Sequence, residues 1–114
     1  MNFEKIIWTS HSKIKMRQYR FSPQRVLRIL RKPDRLEEGI VPKTVAVMQI
    51  TGTKKHPTEA WMMYQINEKR KVKGKRLKQI KIISAWRYPA RTPAGSRPIV
   101  PKDILDELLR KTKF

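Results

Sequence analysis

The chain contains no cysteine, which removes disulfide frameworks and cysteine-based zinc sites together. Its two histidines, His11 and His56, are too few for a metal site built from imidazoles. No apolar run approaches the roughly 18 residues that a membrane span needs. The opening MNFEKIIWTS lacks the apolar core of a secretory signal. The expectation is a reducing, cytoplasmic setting, with no membrane, metal or cofactor involved.

Acid is the scarcest chemistry. Nine Asp and Glu stand against 28 Lys and Arg, a formal charge of +19 over 114 residues. A domain charged so heavily repels itself unless a polyanion neutralises it, so nucleic acid is the expected partner. The acids also bunch. Asp34, Glu37 and Glu38 form one group and Asp103, Asp106 and Glu107 another, which leaves Glu4, Glu59 and Glu68 to dilute the rest.

What is present in excess is concentrated at residues 69–81, KRKVKGKRLKQIK, with eight cations in thirteen positions and no acid. A run of this density contacts phosphates without reading sequence. Its members Lys69, Arg70, Lys71, Lys73, Lys75, Arg76 and Lys78 are expected to bind RNA from a hairpin at about 68–78. Lys54 and Lys55, in a turn, and Arg91 and Arg97, in a Pro-rich segment, are expected to extend that surface.

A hydrophobic content of 39% in aliphatic clusters marks a folded chain, and the length fits one domain spanning 1–114. Residues 5–9 read as a short strand. Residues 10–19 read as a helix capped by Ser10 or Ser12, with Ile14 and Tyr19 toward the interior. A second helix follows: Ser22 is a good N-cap, Pro23 suits the first turn, Val26, Ile29 and Leu30 share a face, and Pro33 stops it. Strands are expected at 35–41, 44–51, 58–66 and 77–87, with a turn at 52–57. The second and third are apolar on both faces, as strands in a sheet covered on both sides are. In the last, alternation puts Ile80, Ile82, Ser84 and Trp86 on one face and Lys81, Ile83, Ala85 and Arg87 on the other. Residues 88–100 form a long, aperiodic, basic loop, either functional or mobile. A final helix occupies about 101–112, with Ile104, Leu105, Leu108 and Leu109 as its apolar stripe. Trp61, Trp86 and Tyr64 could stack bases, but their strand positions suit the core better.

Two segments carry a resemblance. HSKIKMRQYRFSPQRVLRILRKP, with His11, Met16, Arg17, Ser22, Val26, Leu30 and Pro33, resembles the opening of a small bacterial family that begins T-x-H-A and continues through R-M and R-G-I-S. IKIISAWRYPAR, residues 80–91, is similar to the I-R-I-I-S-A-R strand of BrnT-type toxins. Both groups are placed in the RelE/ParE-like toxin superfamily. The resemblance implies an α+β fold: two N-terminal helices on a twisted, mainly antiparallel sheet of about four to five strands, here with a C-terminal helix. It also implies a metal-independent endoribonuclease acting on mRNA or ribosome-associated RNA, restrained by an acidic antitoxin.

Such chemistry needs a base for the ribose 2′-hydroxyl, cations for the phosphorane and an acid for the leaving oxygen. Arg87 as phosphate stabiliser and Tyr88 as proton donor are the leading candidates, with Lys81 joining Arg87 on its strand face and His11 or His56 as base. Each has a plainer reading: Arg87 contacts RNA backbone at the sheet end, Tyr88 covers the core, Lys81 is solvated, His11 holds a structural hydrogen bond and His56 lies in an exposed turn. The rivals to a nuclease are a non-catalytic RNA- or ribosome-binding protein on the same fold, and a DNA-binding accessory protein of a phage or mobile element.

Overall fold

The computed structural model describes residues 5–72 and 75–110, and their side chains except those of 67–78, 109 and 110. It is α+β. Chain order is β1 (Lys5–Trp8), α1 (Ser10–Gln18), α2 (Pro23–Arg31), β2 (Arg35–Glu38), β3 (Thr44–Gly52), β4 (Pro57–Val72), β5 (Lys75–Tyr88) and α3 (Lys102–Arg110). The strands form one mixed sheet in the order β1-β5-β4-β3-β2, with β1 parallel to β5 and every other pair antiparallel.

Helix α2 forms where its sequence signals it. Ser22 Oγ accepts from Arg25 N at 3.1 Å, Pro23 opens the first turn, and Val26, Ile29 and Leu30 are buried. Helix α1 departs from its expected pattern. Its cap is Thr9, whose Oγ1 accepts from Ser12 N at 3.1 Å and donates to Ile82 O at 2.7 Å, tying the helix start to β5. Its buried residues are His11, Ser12, Lys15 and Met16, while Ile14 is 59% exposed and Tyr19 half-buried. A polar helix face can be buried here because α3 supplies acids opposite it.

The central strands are apolar on both faces, as read from the sequence, and each face has its own cover. On one, α1 and α2 close over Val47, Ala60, Met62, Tyr64, Ile80, Ile82 and Ala85. On the other, Ile104 and Leu108 of α3 meet Ala46, Met48, Trp61, Met63, Ile83 and Trp86. Trp61 and Trp86 stack there with ring centroids 6.1 Å apart. Both are fully buried, as is Tyr64.

Strands β4 and β5 run further than expected, continuing into the basic segment rather than ending before it. The last β3 partner of β4 is Gln65, yet β4 and β5 stay paired out to Val72 and Lys75. A 16-residue strand at ~3.3 Å per residue accounts for the molecule's 51 Å long axis, against 30 and 27 Å across it. Strand β2 is shorter than expected, ending at Glu38 before a turn in which Gly39 lies hard against Thr44 and Lys43 takes a φ of 64°. No helix among the described residues is long and apolar enough to cross a membrane.

Candidate nucleic-acid interface

The proposed catalytic set on β5 does not share a face. Opposite Met63 and Tyr64, β5 holds Ser84 and Ile82, so Ile83 is an extra residue, a β-bulge. A one-residue bulge inverts the alternation beyond it. Ile80, Ile82, Ala85 and Arg87 therefore lie toward α1 and α2, while Lys81, Ile83, Ser84, Trp86 and Tyr88 lie toward α3. Lys81 and Arg87, expected on one face, are on opposite faces. Arg87 and Tyr88 are divided in the same way.

Arg87 is engaged in structure. Its Nε donates to Tyr19 O at 2.9 Å, covering the C-terminal end of α1, and its guanidinium sits 4.2 Å from the Phe21 ring centroid. Burial, and secondarily Arg25 nearby, lower its pKa. Tyr88 is half-buried beside the Trp61 and Trp86 cluster.

His11 is 8% exposed at the start of α1, and its Nε2 lies 3.0 Å from Ser84 Oγ. Its Nδ1 faces the Glu107 carboxylate of α3. Carboxylate, imidazole and hydroxyl thus stand in line. Ser84 is fully buried, however, so the hydroxyl cannot meet a substrate in this arrangement. One helical turn on, Lys15 Nζ donates to Asp103 Oδ2 at 2.6 Å and to Gln18 Oε1 at 3.0 Å. The Lys15 hydrogen bond is the main reason the Asp103 carboxyl lies below its ordinary pKa.

His56, Lys54 and Lys55 are exposed in the turn between β3 and β4, where His56 N donates to Thr53 Oγ1 at 3.0 Å. Glu59 pairs with Tyr88 in register at that end of β4, and the basic hairpin lies at the other end. His56 therefore does not join the arginines and lysines of the hairpin.

Arg91 and Arg97 belong to a strap, residues 88–100, fastened over the α3 side of the sheet. Its anchor is Glu59, fully buried, which accepts from Trp61 Nε1 (3.0 Å), Thr92 N (3.2 Å), Thr92 Oγ1 (2.7 Å), Arg35 (3.2 Å) and Arg91 Nε (3.4 Å). Burial raises the Glu59 pKa, but the bonds from Thr92, Trp61 and Arg91 outweigh it, and the net shift is downward. Arg35 lies 5.2 Å from the Trp61 ring centroid and also binds Glu37 Oε2 at 2.7 Å and the carbonyls of Thr92 and Pro93. Arg97 meets Glu38 at 3.2 Å. The charge of Arg91 and Arg97 is thus matched by acids within the chain.

The basic hairpin is a two-stranded ribbon in which Glu68 pairs with Lys78, Lys69 with Leu77, Lys71 with Arg76 and Val72 with Lys75. Lys73 lies outside the described residues, and so do the side chains of Lys69, Arg70, Lys71, Lys75, Arg76 and Lys78.

A second group of cations escaped the sequence reading, although its signal is plain in the chain. No acid occurs from Lys5 to Pro33. On α1 and α2, Lys15 and His11 meet α3, whereas Lys13, Arg17, Arg25, Arg28 and Arg31 have no acidic partner among the described residues. The described acids other than Asp34 and Glu68 sit on α3, on β2, or beneath the strap. Charge is therefore segregated across the sheet. Among the described residues no group of three or more His, Cys, Asp or Glu is arranged to hold a metal ion. Comparison with family models, curated proteins and solved structures finds no match to this chain.

Proposed function

We propose that this chain is an RNA-binding protein that grips phosphates without cleaving them, on a fold related to the RelE/ParE-like toxins. The observation that carries the reading is the β4–β5 ribbon. It projects past β3 and bears one acid, Glu68, among seven cations from Lys69 to Lys78. A narrow ribbon of paired backbone with dense cations can lie along a phosphate chain from either side. Ribosomal or other structured RNA in the cytoplasm is the natural target, and an acidic antitoxin would compete for the same cations.

The binding-only reading is favoured over a nuclease by the separation of Lys81, Arg87 and Tyr88 across the sheet and by the burial of His11 and Ser84. Acid–base cleavage needs these groups around one phosphate. Competition with duplex DNA tests the DNA-binding rival, which a strong RNA preference removes.

Fluorescence anisotropy of labelled RNA against salt tests the proposal. Binding is expected to weaken steeply as salt rises from about 50 to 200 mM. Replacing Lys69, Arg70, Lys71, Lys75, Arg76 and Lys78 with Gln should flatten that dependence, and RNA should remain intact in EDTA. No association of the wild-type chain at the lower salt overturns the reading, and RNA cleavage in EDTA restores the nuclease.

A further inference from the structure

We infer a second phosphate-binding site on the outer surface of α2, made by Gln24, Arg28, Arg31 and Lys32, whose ligand is the backbone of base-paired RNA. The inference rests on the RNA-binding reading and specifies the form of RNA.

The four side chains line a concavity of about 470 Å³. All four are exposed. Gln24, Arg28 and Arg31 fall at i, i+4 and i+7 of α2, about one helical turn, 5.4 Å, apart on a single face, and Lys32 follows as the residue that caps the helix. Neither Arg28, Arg31 nor Lys32 has an acidic partner among the described residues.

Two intrachain explanations for these cations fall short. The helix dipole favours positive charge in the last turn, which would cover Arg28, Arg31 and Lys32. The same dipole disfavours a cation in the first turn, yet Arg25 is there and no acid is. The C-terminal carbonyls are also already served, since Gln49 Nε2 donates to Arg28 O at 3.3 Å and to Lys32 O at 3.0 Å. Meanwhile Arg25 and Arg28, Arg28 and Arg31, and Arg28 and Lys32 are like-charge pairs at i, i+3 or i, i+4, which repel. A helix that accumulates mutual repulsion on an open concave face is suited to an external polyanion.

The form of RNA follows from where the aromatic residues are. Single-stranded RNA is held largely by bases stacking on exposed aromatic rings. Phe21, Trp61, Tyr64 and Trp86 are buried, and Trp8, Tyr19 and Tyr88 are half-buried against the two cores. The exposed large apolar side chains among the described residues are Ile14, Leu36, Ile50, Ile66 and Ile99, none of them aromatic. A surface with phosphate ligands and, among the described residues, no exposed aromatic ring matches an A-form helix, which is recognised by shape and backbone.

The test uses the full chain, a labelled RNA stem-loop with a stem of about 20 base pairs, oligo-U of the same length and the DNA duplex of the stem sequence, the stem being longer than the roughly 16 base pairs a helix-reading domain spans. The wild type should bind the stem at least tenfold more tightly than oligo-U or DNA. The triple variant Arg28→Gln, Arg31→Gln, Lys32→Gln, and separately Arg31→Glu, should keep the thermal midpoint. The triple variant should lose tenfold or more in stem affinity, with a log–log salt slope shallower by about 2. Unchanged affinity and slope in both variants remove the α2 site while leaving RNA binding intact. Preference for oligo-U or for DNA overturns the assigned ligand, and a wild type that binds none of the three fails the underlying RNA reading.

Discussion

Lys15 and Asp103 stand 88 positions apart in the chain and meet at 2.6 Å. With the neighbouring pair His11 and Glu107, they align two side chains at i, i+4 on α1 with two acids at i, i+4 on α3. The first helix of the chain is thereby locked to the last, although each belongs mainly to a different face of the sheet. Lys15 is 95% buried at its side chain and Asp103 is half open to water, so removing the lysine leaves an acid that can rehydrate.

Lys15→Met is therefore expected to destabilise by about 2 kcal/mol, the worth of a charged hydrogen bond in a partly dry setting. Asp103→Asn should cost at least as much, because it leaves the buried ammonium with only Gln18 and the more distant Glu107. A double-mutant cycle by urea unfolding measures the coupling, and additive single effects would show that the contact contributes nothing.

Glu59→Gln tests the strap. The amide keeps the shape of the carboxylate but places its NH2 among donors from Thr92, Trp61, Arg35 and Arg91. Breaking a buried charged network of this kind should cost about 3 kcal/mol. Residues 88–100 should then become open to limited proteolysis; a strap as protected as in the wild type would show that Glu59 is not its anchor.

Acid should weaken the same side of the molecule. Asp103, Glu37 and Glu59 all have folded pKa values below their ordinary ones: Asp103 and Glu37 chiefly through Lys15 and Arg35, Glu59 through hydrogen bonds that overcome burial. Groups shifted downward stabilise fully above their unfolded values and lose that contribution as pH falls through the folded ones. The thermal midpoint should hold between about pH 7 and 5 and drop below about pH 4. In Asp103→Asn combined with Glu59→Gln the fall should be shallower, and an equally steep one would assign acid sensitivity elsewhere.

Arg87→Met separates structure from catalysis. Loss of the bond to Tyr19 O and of the stacked guanidinium over Phe21 should lower stability by about 1–2 kcal/mol. RNA incubated in EDTA should be equally intact with either protein. Cleavage by the wild type that disappears in the variant would return Arg87 to an active site.

Much of this molecule was readable before any coordinates. Helix α2 was legible from Ser22 to Pro33 because its cap, its first-turn proline and its apolar spacing are all local. The two-sided covering of β3 and β4 was legible because apolar residues on both alternating positions leave neither face fit for water. The net charge of +19 was legible as well, since no folding within the chain could neutralise it.

What alternation could not supply was the bulge at Ile83, where one extra residue transfers Arg87 to one side of the sheet and leaves Lys81 on the other. Nor could periodicity show that His11 and Lys15 would be interior, because burying them depends on acids that arrive at the far end of the chain. The strap's arginines look free in one dimension and are paired in three. Local preference and composition act through neighbours in sequence, and so they set the elements and the total charge. Which cations remain available to a ligand depends on contacts between distant segments, and only the tertiary structure decides it.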